Sequence, residues 1–150
     1  MKRTAFTMIE LIFVIVVLGI LSAIAIPKFA ATRDDAQIAK GRSDVAAIRS
    51  AIVSERQGRL LRGDSAYINK LHNNTATLFD NNGTATSTIL QYGIVTQANT
   101  NGHWQNSADQ NGTSWVYKYR VLGSDNSFTY NPTNGTFTCT NGTSCGLLVN

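Results

Sequence analysis

A chain of 150 residues has room for one globular domain and an appendage. Its formal net charge of +4 is the balance of 13 basic and 9 acidic side chains, and their distribution argues against a nucleic-acid partner. Lys2 and Arg3 open the chain, the basic residues from Lys28 to Lys70 are interleaved with acidic ones, and beyond Leu71 only Lys118 and Arg120 stand against Asp80, Asp109 and Asp125. That pattern concentrates no positive field of the kind a polyanion needs.

The first element is a helix of two unlike halves. From Phe6 to Ile26 Glu10 is the only charged side chain, and a run of about 20 apolar residues is enough to cross a bilayer. Lys2 and Arg3 ahead of the run place its start in the cytoplasm and send the rest across. Glu10 is the anomaly: a charge at the centre of a spanning helix costs roughly 2.5–3.5 kcal/mol on insertion scales. Even near one end it needs a partner, and none is expected in the chain as translated. Residues 27–57 form the second half, where Ile38, Val45, Ile48 and Ile52 recur at helical spacing with Ala31, Ala46 and Ala51 beside them. Gly19 is tolerated in such a helix, whereas Pro27 is expected to kink it or open it locally.

The remainder, 58–150, reads as a small β-rich domain. Gly58 and Gly63 stop the helix, and Asp64-Ser65 can cap a short helix through Leu71. After about Asn73 the composition turns to Asn, Thr, Gly and Ser. The stretch 89–95 is a candidate strand, and 113–121 alternates, with Trp115, Tyr117, Tyr119 and Val121 on one face. The sequence SFTYNPTNGTFTC forms a hairpin that sets Phe128 and Tyr130 across from Phe137 and Cys139, and CGLLV can add a last edge. The expected fold is α+β: a long, kinked N-terminal helix packed on a small antiparallel sheet. Cys139 and Cys145 are the two cysteines, and export to an oxidising compartment would join them in a small disulfide loop. Asn-Gly-Thr occurs at Asn82, Asn111, Asn134 and Asn141. Turn chemistry explains it more simply than N-glycosylation does; Asn82 and Asn111, each two residues after an aspartate, are the sites to weigh for a glycan.

Two simple readings of the first residues compete. Ala23-Ile24-Ala25 offers a small-x-small cleavage site, so an ordinary signal peptide would release a soluble exported domain starting at Ile26. A plain single-pass anchor is the other. Neither explains Glu10.

Ala5-Phe6-Thr7-Met8-Ile9-Glu10-Leu11 closely resembles the class III signal of type IV pilins and type II secretion pseudopilins, and the likeness runs through Gly19 and Pro27 to about Ala31. The resemblance implies a pilin-like fold and a leader, residues 1–5, removed by a prepilin peptidase between Ala5 and Phe6. Ala5 stands where the family more often has glycine. It also implies N-methylation of Phe6, pairing of Glu10 with the new amine of a neighbouring subunit, and loss of helicity between Gly19 and Pro27 inside a filament. The implied partners are copies of the chain, other pilin-like subunits, the peptidase, an inner-membrane assembly platform and lipid. The implied place is the bacterial inner membrane, single pass, with the C-terminal domain in the periplasm. The product is a secretion, pilus or competence filament. No catalytic constellation is expected: His72 and His103 stand apart in Asn-rich stretches, and no phosphate loop is present. Asp125, Asn126 and Asn131 gather no cluster of carboxylates for calcium, so no cofactor or metal is expected.

Overall fold

The computed structural model describes residues 6–80 and 89–149. In chain order the elements are α1 (Met8–Leu61), β1 (Thr77–Leu78), β2 (Ile94–Val95), β3 (His103–Asn111), β4 (Ser114–Val121), β5 (Ser124–Asn131), β6 (Thr136–Asn141) and α2 (Cys145–Val149). The chain divides into two compact units, Met1–Asp35 and Ala36–Asn150, and α1 contributes to both.

In the first unit α1 exposes Ile9, Leu11, Phe13, Ile20, Leu21 and Ile24, and it is long and apolar enough to cross a membrane. The helix runs unbroken through Gly19 and Pro27. Losing one N–H at a proline removes a single rung of the ladder, and here the helix continues past it.

In the second unit α1 buries Val45, Ile48 and Ile52, three residues spaced so that they share one face. Ser43, Ala46, Ala47, Ser50 and Ser54 are exposed. The helix stops at Gly63, whose φ is +82°. The Gly63 N–H bonds to the Leu60 carbonyl and the Asp64 N–H reaches back to that of Arg59, the paired closure of a Schellman cap, which a glycine satisfies without strain.

No helix follows over 64–71, contrary to expectation. Asp64 spends one carboxylate oxygen on the Ala66 N–H and the other on Arg59. Further on, the Tyr130 hydroxyl donates to the Ile68 carbonyl at 2.7 Å and the Leu71 N–H donates to the Tyr117 hydroxyl at 3.0 Å. Backbone groups that a helix would pair internally are taken by tyrosines of the sheet, so the segment stays extended.

The main sheet is an antiparallel meander in the order β3-β4-β5-β6. Phe128 faces Cys139 and Tyr130 faces Phe137, the register that the hairpin sequence predicts. Tyr117, Tyr119 and Val121 are fully buried, while Trp115 is half-buried. With Trp104, Phe128, Tyr130 and Phe137 they pack against Val45, Ile48 and Ile52 of α1 and against Ile68, Leu71, Leu78 and Phe79 of the intervening segment. The candidate strand at 89–95 shrinks to Ile94–Val95, paired with Thr77–Leu78 in a separate two-stranded ribbon. CGLLV is α2 rather than an edge strand. Its Leu147 and Leu148 N–H groups bond to the Ser144 carbonyl, so the segment coils and buries Leu148. A disulfide joins Cys139 to Cys145.

Two hairpin ends turn on a positive-φ glycine rather than on an asparagine in that conformation. Asn111 pairs with Ser114 across a two-residue turn whose first position, Gly112, has a φ of +61°, the place that a type II′ turn gives to glycine. Between β4 and β5 the turn is Leu122-Gly123, with φ of +53° and +76°. Leucine is an uncommon occupant of that left-handed position. The Gly123 N–H is held by the Asn101 side chain at 3.0 Å.

Candidate functional site

The N-terminal site is built from the first turn of α1. The Thr7 N–H and hydroxyl both donate to Glu10 Oε2, each at 2.9 Å, and the Glu10 N–H returns a 3.3 Å bond to the Thr7 hydroxyl. This reciprocal arrangement is a capping box, which satisfies donors that a helix start otherwise leaves open. It gives Glu10 hydrogen-bond partners within the chain, beside the charged partner that the sequence reading looked for elsewhere. Thr7 is the residue the sequence reading missed, and the Thr-x-x-Glu spacing was the available signal. The cap supplies hydrogen bonds but no positive charge, and among the described residues Glu10 forms no ion pair. Phe6, Ile9, Phe13 and Val14 line an open recess beside Glu10, and Phe6 is 85 % exposed.

Ala5 and Asn82 lie outside the described residues. A Cβ built on Gly19 would meet nothing within 4 Å. Asn111 is exposed at its hairpin end, and Asn134 is engaged instead in its own turn, its side-chain oxygen accepting from the Thr136 N–H and hydroxyl. Among the described residues no group of three or more His, Cys, Asp or Glu could hold a metal ion.

His72 and His103 do not stand apart in loops as the sequence suggested. His103 opens β3. His72 forms a bridge with Leu78 and is 6 % exposed. Its Nδ1 lies 2.9 Å from the Tyr117 hydroxyl, and its ring meets Trp115 edge to face at 4.9 Å. That hydroxyl also accepts from the Leu71 N–H, so Leu71, His72 and Tyr117 share one buried hydrogen-bond cluster. Burial holds the His72 pKa below its ordinary value, with Lys70 adding to the effect and Asp80 opposing it.

A pH dependence follows. The unfolded chain takes up a proton on this ring near pH 6.5, and the folded chain resists it to lower pH. Stability is therefore fully present above about pH 6.5 and is lost as pH falls below it. His103, pushed down by burial and by Lys40, acts in the same direction. Asp44, pushed up mainly by burial, has the opposite sign but acts in the acid range. Thermal unfolding of the detergent-solubilised chain between pH 7 and pH 5 should show a falling midpoint, with a shallower slope in His72→Asn. An unchanged slope in that variant would sink the assignment.

Comparison with known proteins places the first turn in context. Residues 1–26 match the prokaryotic N-terminal methylation motif. Over 51 residues, 34% of this chain, the sequence is 49% identical to the type IV narrow pilus major component PilA5 of Thermus thermophilus, and covers 44% of that protein. Over 51 residues it is 35% identical to the type II secretion system core protein G of Pseudomonas aeruginosa, covering 36% of it. The chain thus spans less than half the length of these curated relatives. No solved structure gives a significant match.

Proposed function

We propose that this chain is a structural subunit of the pilin or pseudopilin kind. A prepilin peptidase cuts it between Ala5 and Phe6 and methylates the Phe6 amine, and it polymerises through α1 into a filament of the type II secretion or type IV pilus sort. The observation that carries this reading is the methylation motif at the head of α1, where the apolar run from Phe6 to Ile26 carries one carboxylate, Glu10, in the first turn. Cleavage creates a positive amine next to that carboxylate's level in the membrane. Charges of opposite sign gain strongly from each other where the dielectric is low.

In the same proposal the subunit waits in the bacterial inner membrane with residues 36–150 in the periplasm, its partners being further copies, other pilin-like subunits and the assembly platform. It works by packing rather than by catalysis. The relatives are named for a pilus on one side and for secretion on the other, and the proposal is the subunit role common to both; a competence filament is a variant of it.

The deciding measurement is the N-terminal residue and intact mass of the protein from its native host. A chain starting at Phe6 and one methyl group heavier than its sequence is expected. A chain starting at Ile26 would make this an ordinary exported domain.

A further inference from the structure

We propose that the crevice between α1 and α2 receives an acidic side chain from a second copy of this chain, with Asp34 and Asp35 as the acids presented. The inference rests on the filament reading above. The crevice has a volume of about 220 Å³ and is lined by Arg42, Val45, Ala46, Arg49, Leu148 and Val149. Arg42 donates through Nε to the Leu147 carbonyl, and Arg49 donates through Nε to the Phe137 carbonyl at 3.0 Å. Both guanidinium groups are thereby pinned, while their terminal nitrogens meet no carboxylate among the described residues. A guanidinium has five N–H donors in a planar fork, and the carbonyls of Leu147 and Phe137 take only the Nε one of each.

Other cations of the domain are spent differently: Lys40 donates to the Gly102 carbonyl and Arg56 lies over the Tyr67 ring, while several hold carboxylates. Arg59 holds Glu55 and Asp64, Lys118 holds Asp109, and Arg120 holds Asp125. Two pinned cations that meet no carboxylate among the described residues, at a crevice walled by Val45 and Leu148, form an acceptor for one. Apolar walls exclude water and strengthen a charge-assisted bond made there.

The occupant follows from charge and from chain geometry. Asp34 and Asp35 make no ion pair among the described residues. Asp35, Arg42 and Arg49 succeed one another at seven-residue intervals within α1, and seven residues of α-helix rise about 10.5 Å. A parallel copy displaced by that amount brings its Asp35 level with Arg42. The exposed Ser43, Ala46, Ala47 and Ser50 beside the crevice are small enough to let another helix come close.

The test uses the full chain in its native host, with filaments sheared from cells and counted by electron microscopy. Arg42→Glu with Arg49→Glu should reduce filaments more than about tenfold, since like charges brought together at an interface are strongly disfavoured. Asp34→Lys with Asp35→Lys should do the same, and the chain carrying all four changes should recover. Wild-type levels from either pair, or no recovery in the fourfold variant, would overturn the proposal. Absence of filaments from the unaltered chain would instead remove the filament reading itself.

A second measurement does not depend on reversed charges folding. Arg42→Lys keeps the charge and offers an amine to a zero-length carbodiimide. In filaments grown from mixed light and heavy isotopes, cross-linked peptides should join position 42 of one copy to Asp34 or Asp35 of another. Links only within a copy, or only to a different protein, would overturn the assignment.

Discussion

Trp104→Ala is expected to remove about 3–5 kcal/mol of stability, the range for deleting a large buried aromatic. Whole domains are commonly stable by only about 5–15 kcal/mol, so this one change would bring the fold close to its limit. Trp104 is fully buried. Its ring meets Phe79 at 4.9 Å, Tyr119 at 5.2 Å and Phe128 at 5.4 Å, and its Nε1–H donates to Asp44 at 3.1 Å. It therefore ties together the sheet, the intervening segment and α1. Trp104→Phe separates packing from hydrogen bonding. It keeps most of the aromatic contact but strips a half-buried carboxylate of a donor, at a cost of about 1–3 kcal/mol. With that bond gone, burial acts on Asp44 with less opposition, so its pKa should move further up. Chemical denaturation of the detergent-solubilised full chain, followed by near-ultraviolet circular dichroism, reads both variants. A loss below about 1 kcal/mol in Trp104→Ala would show that the core is not organised around this ring.

Glu10→Ala is expected to abolish filament assembly. Glu10→Gln is the sharper experiment, because glutamine can still close a capping box with Thr7 but carries no charge. If neutralising a neighbouring amine is what assembly needs, the glutamine variant fails as completely as the alanine one. Removing one member of a buried ion pair costs about 3–5 kcal/mol, more than a hundredfold in an equilibrium constant. Thr7→Ala should be far milder, since loss of an N-cap costs about 1 kcal/mol. Filament yield per membrane-held subunit is the quantity to compare across the three. Normal filaments from Glu10→Gln would leave the capping box as the whole explanation of this carboxylate.

What the amino-acid sequence revealed tracks where periodicity was strong. The apolar spacing of Val45, Ile48 and Ile52 marks the buried face of α1, and the alternation around Tyr117 and Tyr119 marks β4. Phe128, Tyr130, Phe137 and Cys139 state their own register because a turn sequence separates them. β3 was invisible for the opposite reason: in HWQNSADQN the aromatic ring of Trp104 is the only large apolar side chain. Its register also shifts between Trp104 and Ala108, which breaks any period of two. Residues 64–71 and α2 were misjudged because distant partners decide them. Tyr117 and Tyr130 claim the first, and the Ser144 carbonyl together with the burial of Leu148 sets the second. At the N-terminal site Glu10 was conspicuous as a charge in an apolar run, whereas its hydrogen-bond partner required reading Thr7 as a cap.

The place of α2 has a consequence for timing. A Cβ on Gly41 would lie 2.6 Å from a ring carbon of Tyr119 and 2.7 Å from a methyl of Leu148, so helix, sheet and α2 meet at a residue that has no side chain to spare. Arg42 and the Leu147 carbonyl, which bond beside it, are 105 residues apart in sequence. At synthesis rates of about 5–20 residues per second, α1 emerges on the order of 5–20 s before the segment that covers this part of it. For that interval Val45 and its neighbours have no permanent cover. The core around Val45 is therefore complete only once the segment carrying Leu147 and Leu148 has been made.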